Sequence, residues 1–293
     1  MIGVDWGTSS LRAFLMDDEG RVRDRREADH GIMHIEGGRF AAALREIAGD
    51  WIAGGECHVL LSGMIGSRQG WVEAPYLPCP AGPHELAAAL VAVPFEGAQV
   101  RLVPGLTDAD PAGVPEVMRG EETQLAGLPS LLDDAALACL PGSHAKWARL
   151  GEGKVQAFRT YLSGEAFSAL RSGTILGRMM HEGPADEAAF DSGVARSGEP
   201  GHLLHQLFGV RTLGLAGRLA ESASASYLSG LLIGHEVRAE APLPAAPVHL
   251  IGTGPLCALY ARAIAACGGH AVIEDSDAAA RGLVRIGREA QGT

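Results

Sequence analysis

The chain has no long hydrophobic run, no concentrated basic patch and no paired-cysteine motif, and each absence excludes a class of protein. The longest apolar stretches, such as residues 227–233, fall far short of the roughly 20 residues that a membrane-crossing helix needs. The N-terminus carries no basic segment ahead of an apolar one and enters a strand-like run at Ile2, Gly3 and Val4, which is not the pattern of a targeting signal. Net charge is -11, and the one basic cluster, residues 21–26, is interrupted by Asp24. That pattern argues against a nucleic-acid binder, which concentrates positive charge on one surface. The five cysteines (57, 79, 139, 257 and 267) include no CxxC pair and read as thiols of a reducing compartment. A cytoplasmic protein without membrane or nucleic-acid partners is expected.

What is present is an ample core-forming fraction, 47% apolar, in 293 residues, enough for two ordinary domains. Residues 2–5 and 11–16 read as strands around Trp6-Gly7-Thr8-Ser9-Ser10. A hairpin turn at 17–20 and a polar edge strand at 21–27 follow. Phe40, Leu44, Ile47 and Trp51 have helical spacing, and residues 59–61 read as a buried strand. The layout then recurs: a strand at 137–140, a Pro141-Gly142-Ser143-His144 turn, a second hairpin and a helix from about Ser163. This repeat of element order predicts a duplicated α/β fold with a ligand cleft between its halves. The last third predicts helices at 203–208, 213–220 and 225–237. A strand at 248–251 follows, then the Gly252-Thr253-Gly254-Pro255 loop, a helix at 256–266 and a last helix near 278–288. Four prolines at 75–83 predict a stretch without regular structure.

Three glycine-containing loops carry the chemistry. A hairpin with Gly7 at its apex turns backbone N–H groups and the Thr8 and Ser9 hydroxyls toward phosphate oxygens. Asp5 at the strand end offers a hard oxygen to magnesium, most simply through water. The same residues also suit an ordinary turn with local side-chain hydrogen bonds. Gly142, Ser143 and His144, with Lys146 beyond them, form the equivalent loop of the second half, and Gly252, Thr253 and Gly254 form a third.

These loops resemble the two phosphate loops and the adenosine loop of the sugar kinase, hexokinase, actin and heat-shock ATPase superfamily. More narrowly, several blocks resemble the 2-dehydro-3-deoxygalactonokinase family. They are Asp5-Trp6-Gly7-Thr8-Ser9, Ser62-Gly63-Met64-Ile65-Gly66-Ser67-Arg68, Arg119-Gly120-Glu121-Glu122-Thr123-Gln124, Leu140-Pro141-Gly142-Ser143-His144-Ala145-Lys146-Trp147 and Phe158-Arg159-Thr160-Tyr161. The resemblance implies two ribonuclease-H-like (actin-like ATPase) domains, with ATP and Mg2+ as cofactors and C6 phosphorylation of 2-dehydro-3-deoxy-D-galactonate in galactonate catabolism. It places an acidic base in the 120–124 block, where Glu121 aligns directly and Glu122 is the alternative. An acidic first helical turn is the structural explanation of the same pair. A carboxylate substrate calls for a cation, with Arg68 the first choice and Arg159 the second. Ser62, Met64, Trp71 and Tyr76 are candidates for the sugar pocket.

Domains at 1–115 and 116–293 are expected, the last helix (278–293) returning to the first, with a homodimer left open. Two alternatives stand beside this reading: a kinase for another sugar or sugar acid, and a non-kinase actin-like ATPase module.

Overall fold

The computed structural model describes residues 1–17, 19–275 and 277–292. Asp18 of the expected turn and Thr293 of the expected last helix lie outside them. Packing divides the chain into two compact units. The first comprises Met1–Ala136, Ala148–Arg159 and Asp275 to the C-terminus; the second comprises Leu137–Trp147 and Thr160–Glu274.

The first unit opens with β1 (Ile2–Trp6), β2 (Leu11–Met16) and β3 (Val22–Ala28), paired antiparallel in sequence order. Then come α1 (Phe40–Ala53), β4 (His58–Ser62), β5 (Tyr76–Pro78) and α2 (Pro83–Ala88). After these follow β6 (Val91–Val93), β7 (Gln99–Leu102), β8 (Gly105–Ala109), β9 (Pro115–Met118), α3 (Glu121–Ala126) and α4 (Pro129–Asp133). The main sheet has the order β3-β2-β1-β4-β7-β6, with β4 parallel to both β1 and β7. The apolar positions of β1 and β4 bury Ile2, Val4, Trp6 and Leu61 against the Leu44 face of α1. Each such side chain contributes about 1.5–3 kcal/mol on burial.

The second half of the duplication is built on β10 (Ala136–Leu140), β11 (Ala145–Gly151) and β12 (Lys154–Tyr161); of these strands, Ala136 and residues 148–159 fall in the first compact unit and the others in the second. It continues with α5 (Ser163–Gly173), α6 (Glu187–Ser197), α7 (Leu203–Leu215), α8 (Ser224–Ala239), β13 (Val248–Leu250), α9 (Gly254–Ala266) and β14 (Ala271–Ile273). Its sheet order is β12-β11-β10-β13-β14. This is the order of the first five strands of the other sheet, with parallel pairs again at the third-to-fourth and fourth-to-fifth positions. The duplication expected from element order is therefore present as one topology used twice, and the fold is α/β with two ribonuclease-H-like units. The last helix, α10 (Ala278–Gly292), packs on β1, β4, α2 and α3 through fully buried Leu283 and Ile286.

Three details differ from the sequence reading. No helix spans 213–220: α7 runs unbroken from Leu203 and stops when Gly217 turns to φ +66, the left-handed conformation that closes helices. The proline-rich 75–83 stretch does contain regular structure. Tyr76–Pro78 pairs in parallel with β8 at the edge of a small β5-β8-β9 sheet, where the missing proline N–H is tolerated. A single cut after residue 115 also differs from the packing, which joins 116–136 and 148–159 to the first unit. The reason is local: β9 pairs with β8 and α3 packs on α10, while Val155 bridges to Ala81 and Lys154 pairs with Glu85 at 2.6 Å.

Candidate functional site

In the first unit, three chain segments converge at the carboxyl end of the parallel β1–β4 pair, where open α/β sheets place ligands. Asp5 and Ser62 are register partners across that pair. Beyond them the Gly7 turn closes with its own N–H donating to the Ser10 carbonyl at 2.9 Å. Two further amides fasten the turn from outside, Ile32 N–H to the Gly7 carbonyl at 3.0 Å and Met33 N–H to the Thr8 carbonyl at 3.2 Å. Thr8 and Ser9 stay exposed. The Asp5 carboxylate is mostly buried and ion-paired with Arg12 on β2.

The second segment follows β4. Gly63 adopts φ +91, and a Cβ there would stand 2.7 Å from the Trp6 carbonyl. This close approach sets Ser62 and Gly63 against the Asp5 strand end. Met64 packs partly against the core. The Ser62 and Ser67 hydroxyls are buried without a hydrogen-bond partner among the described residues. Arg68 is 89% exposed and paired with Glu73 at 3.0 Å. Trp71 stacks on Phe40 (centroids 6.5 Å apart) and meets Phe95 edge-on, so its ring is committed to packing.

The third segment, 119–123, enters α3. Gly120 at φ +106 brings its backbone against Gly63. Both acids fold back over the turn: Glu121 accepts from the Arg119 N–H at 3.0 Å, and Glu122 from the Gly120 N–H at 2.6 Å. Their surroundings then diverge. Glu121 is partly exposed, whereas Glu122 is 1% exposed and also takes the Thr123 hydroxyl hydrogen at 2.8 Å. Burial, with the neighbouring Glu121 charge second, raises the Glu122 carboxyl to about 8, because a desolvated carboxylate favours its neutral form.

Arg119 was not among the residues read from sequence as substrate-binding. It is buried, donates to the Ala74 carbonyl at 2.8 Å and covers the ring of Tyr76 at 4.3 Å. Its Nε and Nη1 have no acceptor among the described residues. Its position beside the two acids in sequence was the available signal. Arg159 lies on β12 and is exposed.

In the second unit, β10 and β13 end side by side, with the Ile251 N–H donating to the Cys139 carbonyl at 3.0 Å. The Gly142–His144 turn and the Gly252–Gly254 loop therefore start from adjacent strands. Thr253 precedes α9, and Pro255 occupies its first turn, a position where a missing N–H costs nothing. The 141–144 turn rests on the start of α5, where the Glu165 N–H donates to the Ser143 carbonyl at 3.0 Å. His144 and Glu165 pair at 2.5 Å. Lys146 is buried, with its ammonium 3.3 Å from the His144 carbonyl. Beside this turn opens a cavity of about 510 Å3, lined by Gly142, Ser143, Ser163, Ser226, Leu256 and Tyr260 among others. Its mainly apolar wall with a few hydroxyls suits a flat heteroaromatic ligand. Apart from the two Gly142–Ser143 positions, its residues had no motif in the sequence, because they come from α5, α8, α9 and α6 with the two residues ahead of it.

Among the described residues, no group of three or more His, Cys, Asp or Glu side chains could cage a metal, and no helix is long and apolar enough to cross a membrane. A family model described as 2-keto-3-deoxy-galactonokinase matches residues 5–286. A Rhizobium meliloti (strain 1021) protein named probable 2-dehydro-3-deoxygalactonokinase DgoK1 is 35% identical, covering 95% of this chain and 93% of its own. The 2-dehydro-3-deoxygalactonokinase of Escherichia coli (strain K12) is 34% identical, covering 80% and 78%. The crystal structure of a putative 2-dehydro-3-deoxygalactonokinase from Sinorhizobium meliloti superposes with a TM-score of 0.88 at 34% identity over 98% of both chains.

Proposed function

The chain belongs to the 2-keto-3-deoxy-galactonokinase family and is a carbohydrate kinase; from that premise we propose that it phosphorylates the C6 hydroxyl of 2-dehydro-3-deoxy-D-galactonate with ATP, a step of galactonate catabolism. The observation that supports it most is that the family match spans both glycine hairpins and the Glu121–Glu122 block, so the whole set of site loops is inherited together.

In this reading the roles divide between the two units. The 510 Å3 cavity takes the nucleoside, and the amides and hydroxyls of Gly142 and Ser143, with His144, Lys146 and the Gly252–Gly254 loop, take the phosphates. In the first unit, the Gly7–Ser9 hairpin is the phosphate-binding turn. Glu121 is the base: it is exposed enough to reach a substrate hydroxyl, and its hydrogen bond from the Arg119 amide holds it in place. Glu122, buried in the turn, fixes the backbone on which Glu121 stands. Ser62, Met64 and Tyr76 contribute to the sugar pocket. Arg68 or Arg159 meets the substrate carboxylate, and Arg119 joins them as a candidate.

A magnesium ion fits this donor set in one manner only. Asp5 is a lone carboxylate with one oxygen engaged by Arg12, which suits a hydrated ion held mainly by phosphate oxygens rather than by a protein cage. When bound, the ion offsets charge on the transferring phosphoryl group.

Coupled ADP release measured on 2-dehydro-3-deoxy-D-galactonate, its C4 epimer and neutral hexoses tests the reading. The galactonate derivative should give the highest kcat/KM. A better substrate elsewhere in the panel, or ATP turnover that no hydroxyl compound stimulates, overturns it.

A further inference from the structure

Glu236 sits inside α8, 2% exposed, at a junction of three other elements. Its carboxylate receives the indole N–H of Trp147 on β11 at 2.7 Å, the phenol of Tyr260 on α9 at 2.9 Å, and the hydroxyl of Ser163 at the start of α5. Ser163 and Tyr260 line the 510 Å3 cavity, and Trp147 follows Lys146 on the strand that leaves the Gly142 turn. One buried acid thus ties the cavity wall to the strand behind the phosphate hairpin.

The chemistry of the three donors gives this junction a direction. An indole only donates, and an ionised carboxylate only accepts. Each hydroxyl carries a single hydrogen, and both are committed to Glu236. Any further hydrogen bond that Ser163 or Tyr260 makes must therefore be accepted through a lone pair. We infer that Glu236 is a positioning residue that sets Ser163 and Tyr260 as hydrogen-bond acceptors toward the cavity, so that the second unit selects a nucleotide presenting a donor there, a ribose hydroxyl or the amino group of its base. The inference rests on the nucleotide reading of the cavity. Burial, first, and the nearby Glu240 charge push the Glu236 carboxyl upward, while the three donors pull it back. The cluster of donors is what makes the ionised form tenable in so buried a place.

Equilibrium binding of ATP, 2′-deoxy-ATP and inosine triphosphate to the full chain, wild type against Glu236→Gln and Ser163→Ala, tests this, with KM for the sugar acid as the second readout. A glutamine keeps the shape and the Trp147 bond but carries its own donors, so it can reverse the polarity of a hydroxyl. Glu236→Gln should weaken ATP by about ten-fold with the sugar-acid KM unchanged, and should narrow the preference for ATP over one analogue. Narrowing against the deoxy analogue assigns the donor to the ribose; narrowing against inosine triphosphate assigns it to the base amino group. Ser163→Ala should narrow the same preference, and it carries the test alone if the glutamine variant does not fold. Weakening of all three nucleotides by one common factor, no weakening at all, or a matching rise in sugar-acid KM overturns the inference. Wild-type protein that binds none of the three overturns the nucleotide reading itself.

Discussion

Gly63 and Gly120 meet backbone to backbone: a Cβ on Gly120 would stand 3.2 Å from the Gly63 Cα. That contact holds the loop after β4 against the turn that presents Glu121. Gly63 has φ +91 and ψ -158, a region in which a side chain costs roughly 1–3 kcal/mol. A Cβ there also presses on the Trp6 carbonyl at 2.7 Å. Gly63→Ala should therefore lower the denaturation midpoint and reduce kcat together. Gly97→Ala is the control, because φ is +94 but nothing lies within 4 Å; it should lose stability without losing activity.

The Asp5–Arg12 pair makes a separable prediction. Asp5→Asn keeps the shape and a hydrogen bond to the guanidinium but removes the charge that suits a hydrated magnesium ion. Turnover should fall at least ~100-fold, about 2.7 kcal/mol in barrier, with the circular dichroism spectrum unchanged. Near-normal turnover at saturating magnesium would remove Asp5 from the site.

The adjacent acids should behave oppositely. Glu121→Gln should depress kcat by at least ~100-fold, the low end for a general base, with ATP affinity retained. Glu122→Gln should keep most of the activity, since Glu122 is buried within the turn. If Glu122→Gln is the inactive variant instead, the base is Glu122. Stability adds an independent check through pH. The folded carboxyl of Glu122 is raised to about 8 from 4.5, so between those values the folded state holds a proton that the unfolded state has released. Wild-type stability should therefore fall relative to Glu122→Gln as pH rises from about 4.5 to 8, by roughly a kcal/mol per pH unit. A pH-independent difference in urea midpoint would show that the carboxyl is not so perturbed.

Much of this arrangement was legible in the sequence because it depends on short-range rules. The Gly7 and Gly142 turns, the polar edge strand β3 and the helical face of Phe40, Leu44, Ile47 and Trp51 all follow from local spacing, and each formed. The repeated strand order could be anticipated because it is written in element sequence. What stayed hidden depends on long-range meetings. Glu236 gathers donors from positions 147, 163 and 260, and no local pattern marks them. Arg119 read as part of a motif, yet its burial under Tyr76 depends on the small β5-β8-β9 sheet, whose first strand the prolines disguised.

That burial sets up the last prediction, which concerns the substrate carboxylate. Arg68 is exposed and pairs with exposed Glu73, and such surface pairs contribute about 0–1 kcal/mol. Arg68→Ala should consequently leave stability nearly unchanged. If Arg68 meets the carboxylate, KM for the sugar acid should rise roughly 10- to 150-fold, matching a lost charge-assisted contact of about 1.5–3 kcal/mol, with KM for ATP unaffected. Arg119 differs because its guanidinium already serves the fold, through the Ala74 carbonyl and the Tyr76 ring. Arg119→Lys keeps the charge but loses the planar fork, so the denaturation midpoint should fall. The decisive comparison is the sugar-acid KM of the two variants. A rise confined to Arg68→Ala assigns the carboxylate to Arg68. A rise confined to Arg119→Lys, larger than that of Tyr76→Leu, which disturbs the same packing, assigns it to Arg119, whose Nε and Nη1, without an acceptor among the described residues, then have one. No rise in either moves the contact to Arg159, where Arg159→Ala should show it.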